Sequence, residues 1–411
     1  MPEPAPLSYG QLSVWRDVRG LDRGRWQEAN TRTVWLLDDA APYNAAEVRA
    51  AVLALAERHE SLRTAYDLAD PLAPAQRVLE RAPAPDAAVV ACEPDGFDPL
   101  VDALAAEPFD LRTGRSWRAR VVTAGGRPRA VVLVQHHITA DGWSNGVLET
   151  DFRTALGPGL GAAPEVTPRR LADWQRSDGR RNRRDALLGY WERIFDLSPA
   201  RLPMDEPDAA VQYSVRSHRA HAGARALAER LSVPLSSVVL AAFAWSVARA
   251  AAPGALVAQL MSSNRFVPPW NTVVSSMNQW TAASLTLAPE EFAPFVAHVH
   301  TRSLLAYRHG MYDVDEVDAL RDRVRAGREP YQASCGYNFL TGGRPPADAA
   351  DREEALVPEV PFSRIGHPCY LRATEEAGGS LELRLRTMGA TDLLTRDVLA
   401  ATVARLTDPA S

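Results

Sequence analysis

The run Ala130-Val131-Val132-Leu133-Val134 is apolar at every position and mostly β-branched. A strand without polar alternation is buried on both faces, so this run requires a sheet with cover on each side. It ends in Gln135-His136-His137-Ile138-Thr139-Ala140-Asp141-Gly142-Trp143-Ser144. Titratable residues at the end of a buried strand stand where α/β proteins place their chemistry.

Several function classes drop out on composition. At 411 residues the chain exceeds one ordinary core. The net charge of −5 gives no basic bias toward nucleic acid or an anionic membrane. All 46 basic residues are Arg, which removes any lysine Schiff base or lysine general base. Cys92, Cys335 and Cys369 are scattered without a CxxC pair, so a reducing, cytoplasmic location and merely structural thiols are expected. The N-terminal residues have no signal-peptide pattern. The longest apolar stretch, 233–252, is interrupted by polar residues and reads as a core helix, not a membrane span.

Along the chain, 31–37 reads as a strand and Asn44 with Glu47 as a helix-opening capping box. Val48, Val52, Leu55 and His59 form that helix's core stripe. Residues 81–95 read as a Pro- and Ala-rich surface loop, 97–106 as a helix, and 117–123 with 129–134 as a hairpin through Gly125-Gly126. A helix from about Asn145 to Ala155 follows, with Ser144 as its N-cap. The Gly/Pro content of 157–168 and the arginine run at 180–184 mark a boundary, the run itself reading as a solvated helix face. Helices are then expected at 186–195, 223–231, 235–250 and 290–307, and strands at 255–263, 332–340, 369–376 and 381–388. The prediction is mixed α/β (α+β): an N-terminal lobe over 1–165, a linker over 166–185 and a C-terminal lobe over 186–411.

A neutral imidazole accepts a proton near neutral pH, and adjacent strand residues point to opposite sides, so one of His136 and His137 can face a cleft while the other packs. Asp141 can orient an imidazole or anchor the loop on an arginine, and Gly142 permits close backbone approach and positive φ. Spacing alone leaves catalysis and core packing both open. Two diverging histidines without a third ligand make a poor metal site, and no phosphate loop or GxSxG elbow competes for the role.

Further residues carry a resemblance. His136 to Ser144 reads HHITADGWS, and it resembles the HHxxxDGWS signature of the condensation domains of nonribosomal peptide synthetases. HHxxxDG alone is shared with wax-ester synthase relatives, and HxxxD with the wider chloramphenicol-acetyltransferase-like superfamily. Other segments are similar to the family's motifs and fall in its order: Leu7-Ser8-Tyr9-Gly10-Gln11 with Trp15, Arg58 to Tyr66 (RHESLRTAY), Pro108-Phe109-Asp110-Leu111, Tyr307-Arg308-His309 and Arg328 to Gln332. Cyclization domains, with DxxxxD in place of the histidines, and epimerization domains, without DGWS, fit less well. Two later motifs depart from the pattern: 273–279 keeps Asn278 but loses its usual glycine, and Met311-Tyr312-Asp313 replaces a Gln-Asp-Val-Pro-Phe phrase.

The resemblance implies two chloramphenicol-acetyltransferase-like lobes in a V with a central tunnel. It implies a donor held as a thioester on the phosphopantetheine of a carrier protein, with no intrinsic cofactor or metal. The acceptor would be a carrier-tethered or small-molecule amine or hydroxyl, so the product is an amide or an ester in secondary-metabolite biosynthesis. His137 would be catalytic, with His136, Asp141, Gly142 and Arg63 as support. Asp141 is expected to pair with Arg63, and Trp143, Ser144 and Asn278 to line the tunnel. With no adenylation or carrier domain in the sequence, a free-standing enzyme acting in trans is expected. The alternatives are a coenzyme-A-dependent acyltransferase of the same superfamily and a non-catalytic module that recruits carrier proteins.

Overall fold

A computed structural model describes residues 3–408 apart from 39–41, 85, 94–95, 158, 207–208, 287–290, 344–353 and 362–365. The chain divides into two compact units: Met1–Arg183 with Ser263–Asn278, and Arg184–Ser262 with Gln279–Ser411. Residues 166–185, expected as a linker, contain the whole of one helix, Pro168–Gln175, and the start of another, Arg181–Phe195, and the division falls inside the second. The second half of the sequence is not one lobe: 263–278 folds with the first unit.

The first unit runs β1 (Ala5–Pro6), α1 (Tyr9–Arg19), β2 (Asn30–Leu36), α2 (Ala45–Arg58), β3 (Thr64–Asp67), β4 (Ala75–Val78), β5 (Asp86–Ala91), α3 (Phe97–Ala106), β6 (Trp117–Ala124), β7 (Arg127–His136), α4 (Gly142–Leu156) and α5 (Pro168–Gln175). Its main sheet has the order β2-β7-β6-β5, and β1-β4-β3 form a small second sheet. The apolar run lies in β7, an interior strand between antiparallel neighbours. Val131 and Leu133 face a core with Val48, Val52 and Leu55 of α2 and Leu148 and Phe152 of α4. Ala130, Val132 and Val134 face Val101 and Leu104 of α3. Both faces of β7 are covered, as its composition requires.

Local chemistry sets several boundaries. Asn44 Oδ1 accepts from the Ala46 and Glu47 amides while Glu47 returns a bond to the Asn44 N–H, the predicted capping box. Gly125 and Gly126 both have positive φ and close the β6–β7 hairpin. Within 81–95, read as a loop, Asp86–Ala91 forms β5, parallel to β6. Its Asp-Ala-Ala-Val-Val-Ala sequence has no period-2 signal, and pairing with β6 supplies what propensity does not.

The second unit carries α6 (Arg181–Phe195), β8 (Ala210–Ser217), α7 (His218–Leu231), α8 (Leu235–Ala250), β9 (Leu256–Ser262), β10 (Gln279–Leu285), α9 (Phe292–Arg308), α10 (Val314–Val324), β11 (Cys335–Gly343), β12 (Val357–Glu359), β13 (Cys369–Glu376), β14 (Leu381–Met388) and α11 (Asp392–Thr407). Its sheet has the order β10-β9-β11-β13-β14-β8-β12. The apolar stretch at 233–252 is α8, a core helix, and among the described residues no single helix is long and apolar enough to cross a membrane. Cys335 and Cys369 are free and buried, and burial pushes the Cys369 thiol up to about 12.

Candidate active site

The end of β7 is pinned by backbone bonds. The His136 N–H donates to the Ser116 carbonyl at 2.9 Å, and the His137 N–H to Ala29 at 2.8 Å. His136 is 3% exposed; its Nδ1 accepts from the Ile138 amide at 3.1 Å, so its proton sits on Nε2. Burial, with His137 alongside, lowers its pKa to about 3, so the ring stays neutral. His137 is half-buried, and its Nδ1 is buried without a partner among the described residues, leaving Nε2 as the nitrogen that reaches solvent.

Asp141 is 2% exposed and its carboxylate is fully committed. Oδ1 accepts from the Ser144 amide (2.8 Å), the Ser144 hydroxyl (2.9 Å) and Arg265 Nη2 (2.8 Å). Oδ2 accepts from Arg265 Nη2 (3.0 Å) and the Met277 amide (2.9 Å). The expected pairing with Arg63 is corrected: the partner is Arg265, and Arg63 keeps a buried Nη1 without a partner among the described residues. Arg265 wins because 263–278 crosses into the first unit and delivers a buried guanidinium together with its own carbonyl acceptors. Nη1 donates to Val273 (2.7 Å) and Nη2 to Ser275 (2.9 Å). A charge buried this deeply needs that many partners.

Asp141, not Ser144, caps α4. Ser144 is fully buried and its hydroxyl joins Asp141, Arg265 and the Ser275 backbone, so it belongs to the anchor and not to a channel wall. Gly142 opens α4 without positive φ, contrary to the expectation, and a Cβ built there meets nothing within 4 Å. Trp143 is 53% exposed yet held, its indole N–H donating to the Asn271 carbonyl at 2.9 Å. Asn278 is partly buried and its Oδ1 accepts from the Ser276 hydroxyl.

The other first-unit motifs converge behind this loop. In the opening motif, the Ser8 amide donates to Gln11 Oε1 at 2.8 Å, and Gln11 Nε2 reaches both Tyr66 and Gln76. The Tyr66 phenol is buried beside Thr139 of the histidine loop. In the second motif, His59 and Arg58 both bond Asp151 of α4 at 2.8 Å. Phe109 of the Pro-Phe-Asp-Leu phrase lies under Arg118, which donates to the carbonyls of Leu104 in α3 and of Glu107 just beyond it. Sequence reading gave Arg265, Ser275 and Met277 no role: Ser275 and Met277 lie within the 273–279 motif, and no local pattern marks Arg265.

This geometry leaves one imidazole nitrogen open on a loop whose carboxylate is structural and whose glycine has room at its Cβ position. A family model described as "Condensation domain" matches residues 39–331, well over half of the chain. Among curated relatives, the beauvericin nonribosomal cyclodepsipeptide synthetase of Gibberella fujikuroi is 31% identical over 170 residues, covering 39% of this chain and 5% of that protein. The phosphinothricin tripeptide synthetase PhsC of Streptomyces viridochromogenes is 32% identical over 229 residues, covering 51% of this chain and 20% of that protein. The chain thus spans a small part of the relatives it matches. Among solved structures, the condensation domain of the monacolin K polyketide synthase MokA superposes with a TM-score of 0.81 at 17% identity, over 99% of this chain and 98% of that one. At that identity the superposition speaks for the fold, and with the family match the conclusion is plain: this chain belongs to the condensation-domain family, whose members work in nonribosomal peptide and polyketide biosynthesis.

Proposed function

We propose that this chain transfers an acyl or aminoacyl group from a carrier-protein thioester to an amine or hydroxyl, forming an amide or an ester. The observation that carries the reading is the division within the loop: His137 keeps Nε2 open, while Asp141 is consumed by Arg265, Ser144 and Met277.

The chemistry follows from that division. Neutral His137 takes the proton of the attacking N–H or O–H through Nε2 as the nucleophile adds to the thioester carbonyl. The tetrahedral adduct collapses, the carbon–sulfur bond breaks, and the proton passes to the departing phosphopantetheine thiolate. No carboxylate among the described residues bonds the His137 ring. Rate then comes from general-base help of about 10²–10⁴ together with holding two tethered reactants at one nitrogen. The protein's own residues supply no bound cofactor in this scheme; the phosphopantetheine belongs to the partner carrier.

The test is product formation by the purified chain with a separately prepared acyl-loaded carrier protein and a panel of amines and alcohols, read by mass spectrometry. Product from carrier-bound donors supports the reading and shows action in trans. Product from acyl-coenzyme A alone overturns the donor assignment.

A further inference from the structure

We infer that Gly10, in the opening helix α1, is a positioning residue for the reaction: the contact its missing side chain permits holds the Met277 amide against Asp141. This rests on the function proposed above, and it concerns a residue remote in sequence from the histidine loop.

A Cβ built on Gly10 would lie 2.4 Å from the Ser276 carbonyl oxygen, 2.6 Å from the Met277 Cα and 2.8 Å from the Ser276 carbonyl carbon. All three are backbone atoms, so no side-chain rotation relieves the overlap, and either α1 or the 276–277 backbone has to move. Helix α1 is held. Ser8 and Gln11 form a capping box at its start. The Tyr9 amide donates to Gln175 Oε1 at 2.8 Å, and the Tyr9 hydroxyl to the Gln175 carbonyl at 3.1 Å. The Arg176 guanidinium lies over the Tyr9 ring. Gln11 is itself fully buried against Tyr66 and Gln76.

The 276–277 backbone is therefore the part that yields, and it carries the Met277 N–H that donates to Asp141 Oδ2 at 2.9 Å. Asp141 would keep Arg265 and Ser144, so the loop would stay folded but lose one of the contacts that fix its position. Gly142 follows Asp141 directly, and His137 precedes it by a buried stretch, Ile138 to Ala140. A shift at Asp141 is thus passed to the atoms around His137, and a misplacement of about 1 Å in an active site costs on the order of a hundredfold in rate.

The experiment compares wild type, Gly10→Ala and the control Gly24→Ala, where an added Cβ meets nothing within 4 Å. Hydrogen exchange reads the Met277 amide directly, without reference to activity, and steady-state kinetics use a carrier-loaded donor. Gly10→Ala is expected to lose protection at Met277 and to lower kcat about 10- to 100-fold, with KM for the nucleophile and far-ultraviolet circular dichroism unchanged. Gly24→Ala is expected to match wild type. Unchanged Met277 protection in Gly10→Ala overturns the inference, as does lost protection with unchanged kcat. If Gly10→Ala does not fold, Gln175→Ala takes its place, loosening α1 without adding an atom. It should reduce both readouts in part, and no change in either overturns the inference. A wild type inert with every carrier-bound donor refutes the proposed function instead, and leaves the exchange result standing on its own.

Discussion

An imidazole that accepts a proton from a nucleophile needs one nitrogen open to it, and at His137 that nitrogen is Nε2. Replacing His137 with Ala is expected to lower kcat by about 10²–10⁴ with the melting temperature nearly unmoved, since the half-buried ring makes no hydrogen bond among the described residues that stability would miss. Calorimetry beside single-turnover kinetics checks both halves. Gly142→Ala separates packing from function more sharply. The added methyl meets nothing within 4 Å, so stability should hold, and under the proposed function turnover should fall because substrates would use that space. A variant as active as wild type would contradict this. At this scale the sequence exposed the histidines and Asp141 as a titratable cluster, and the resemblance singled out His137. It could not expose the committed state of Asp141, because that depends on a guanidinium from Arg265, far along the chain.

Helix α4 shows how an element is set by both local and distant chemistry. Its cap is local: Asp141 accepts from the Ser144 amide, an interaction its i,i+3 spacing permits in any isolated chain. Its anchor is not local. Removing either side chain of the buried Asp141–Arg265 pair leaves the other charged and desolvated, so Asp141→Ala and Arg265→Ala are each expected to cost about 3–5 kcal/mol by urea denaturation. A double-mutant cycle should show strong coupling for that pair and none between Asp141 and Arg63, which make no ion pair. Element boundaries followed the same division. The capping box at Asn44 and the glycine turn at 125–126 were legible because a few adjacent residues fix them. The strands β5, β8 and β10 and helices α10 and α11 were not, since their existence rests on neighbours that sequence order does not reveal.

For the molecule as a whole, buried histidines make stability depend on acid. His136 in the first unit is held to about 3 and His367 in the second to about 4, in each case chiefly by burial. Both lie below the ordinary histidine value of ~6.5. As pH falls through that value, the unfolded chain takes up protons that the folded rings refuse. Stability present above it is therefore lost toward the folded values, at up to about 1.4 kcal/mol per pH unit for each ring. Denaturation midpoints should drop between pH 7 and pH 5, by a free energy of about 2–4 kcal/mol. Below that range Asp151 and Glu376 add to the loss. Burial raises each, but hydrogen bonds from His59 and Arg58, and from Arg216 and Ser380, outweigh it and leave both pKa values lowered. Stability from these depressed carboxylates is present above their unfolded pKa and is lost as pH falls. A flat profile between pH 7 and pH 5 would contradict the neutral, buried state of His136 and His367.

The sequence by itself determined that β7 is covered on both faces, that titratable residues stand at its end, and that the ordered motifs around them resemble one family. Those properties live in composition and short spacing, which survive in an unfolded chain. Only the tertiary structure decided that 263–278 folds with the first unit, that Arg265 neutralises Asp141, and that Gly10 lies against Ser276 and Met277. Each joins residues more than a hundred positions apart, and no local propensity encodes which of many arginines or glycines will meet a given backbone. The loop that carries His137 was readable from its own letters; what holds it still was not.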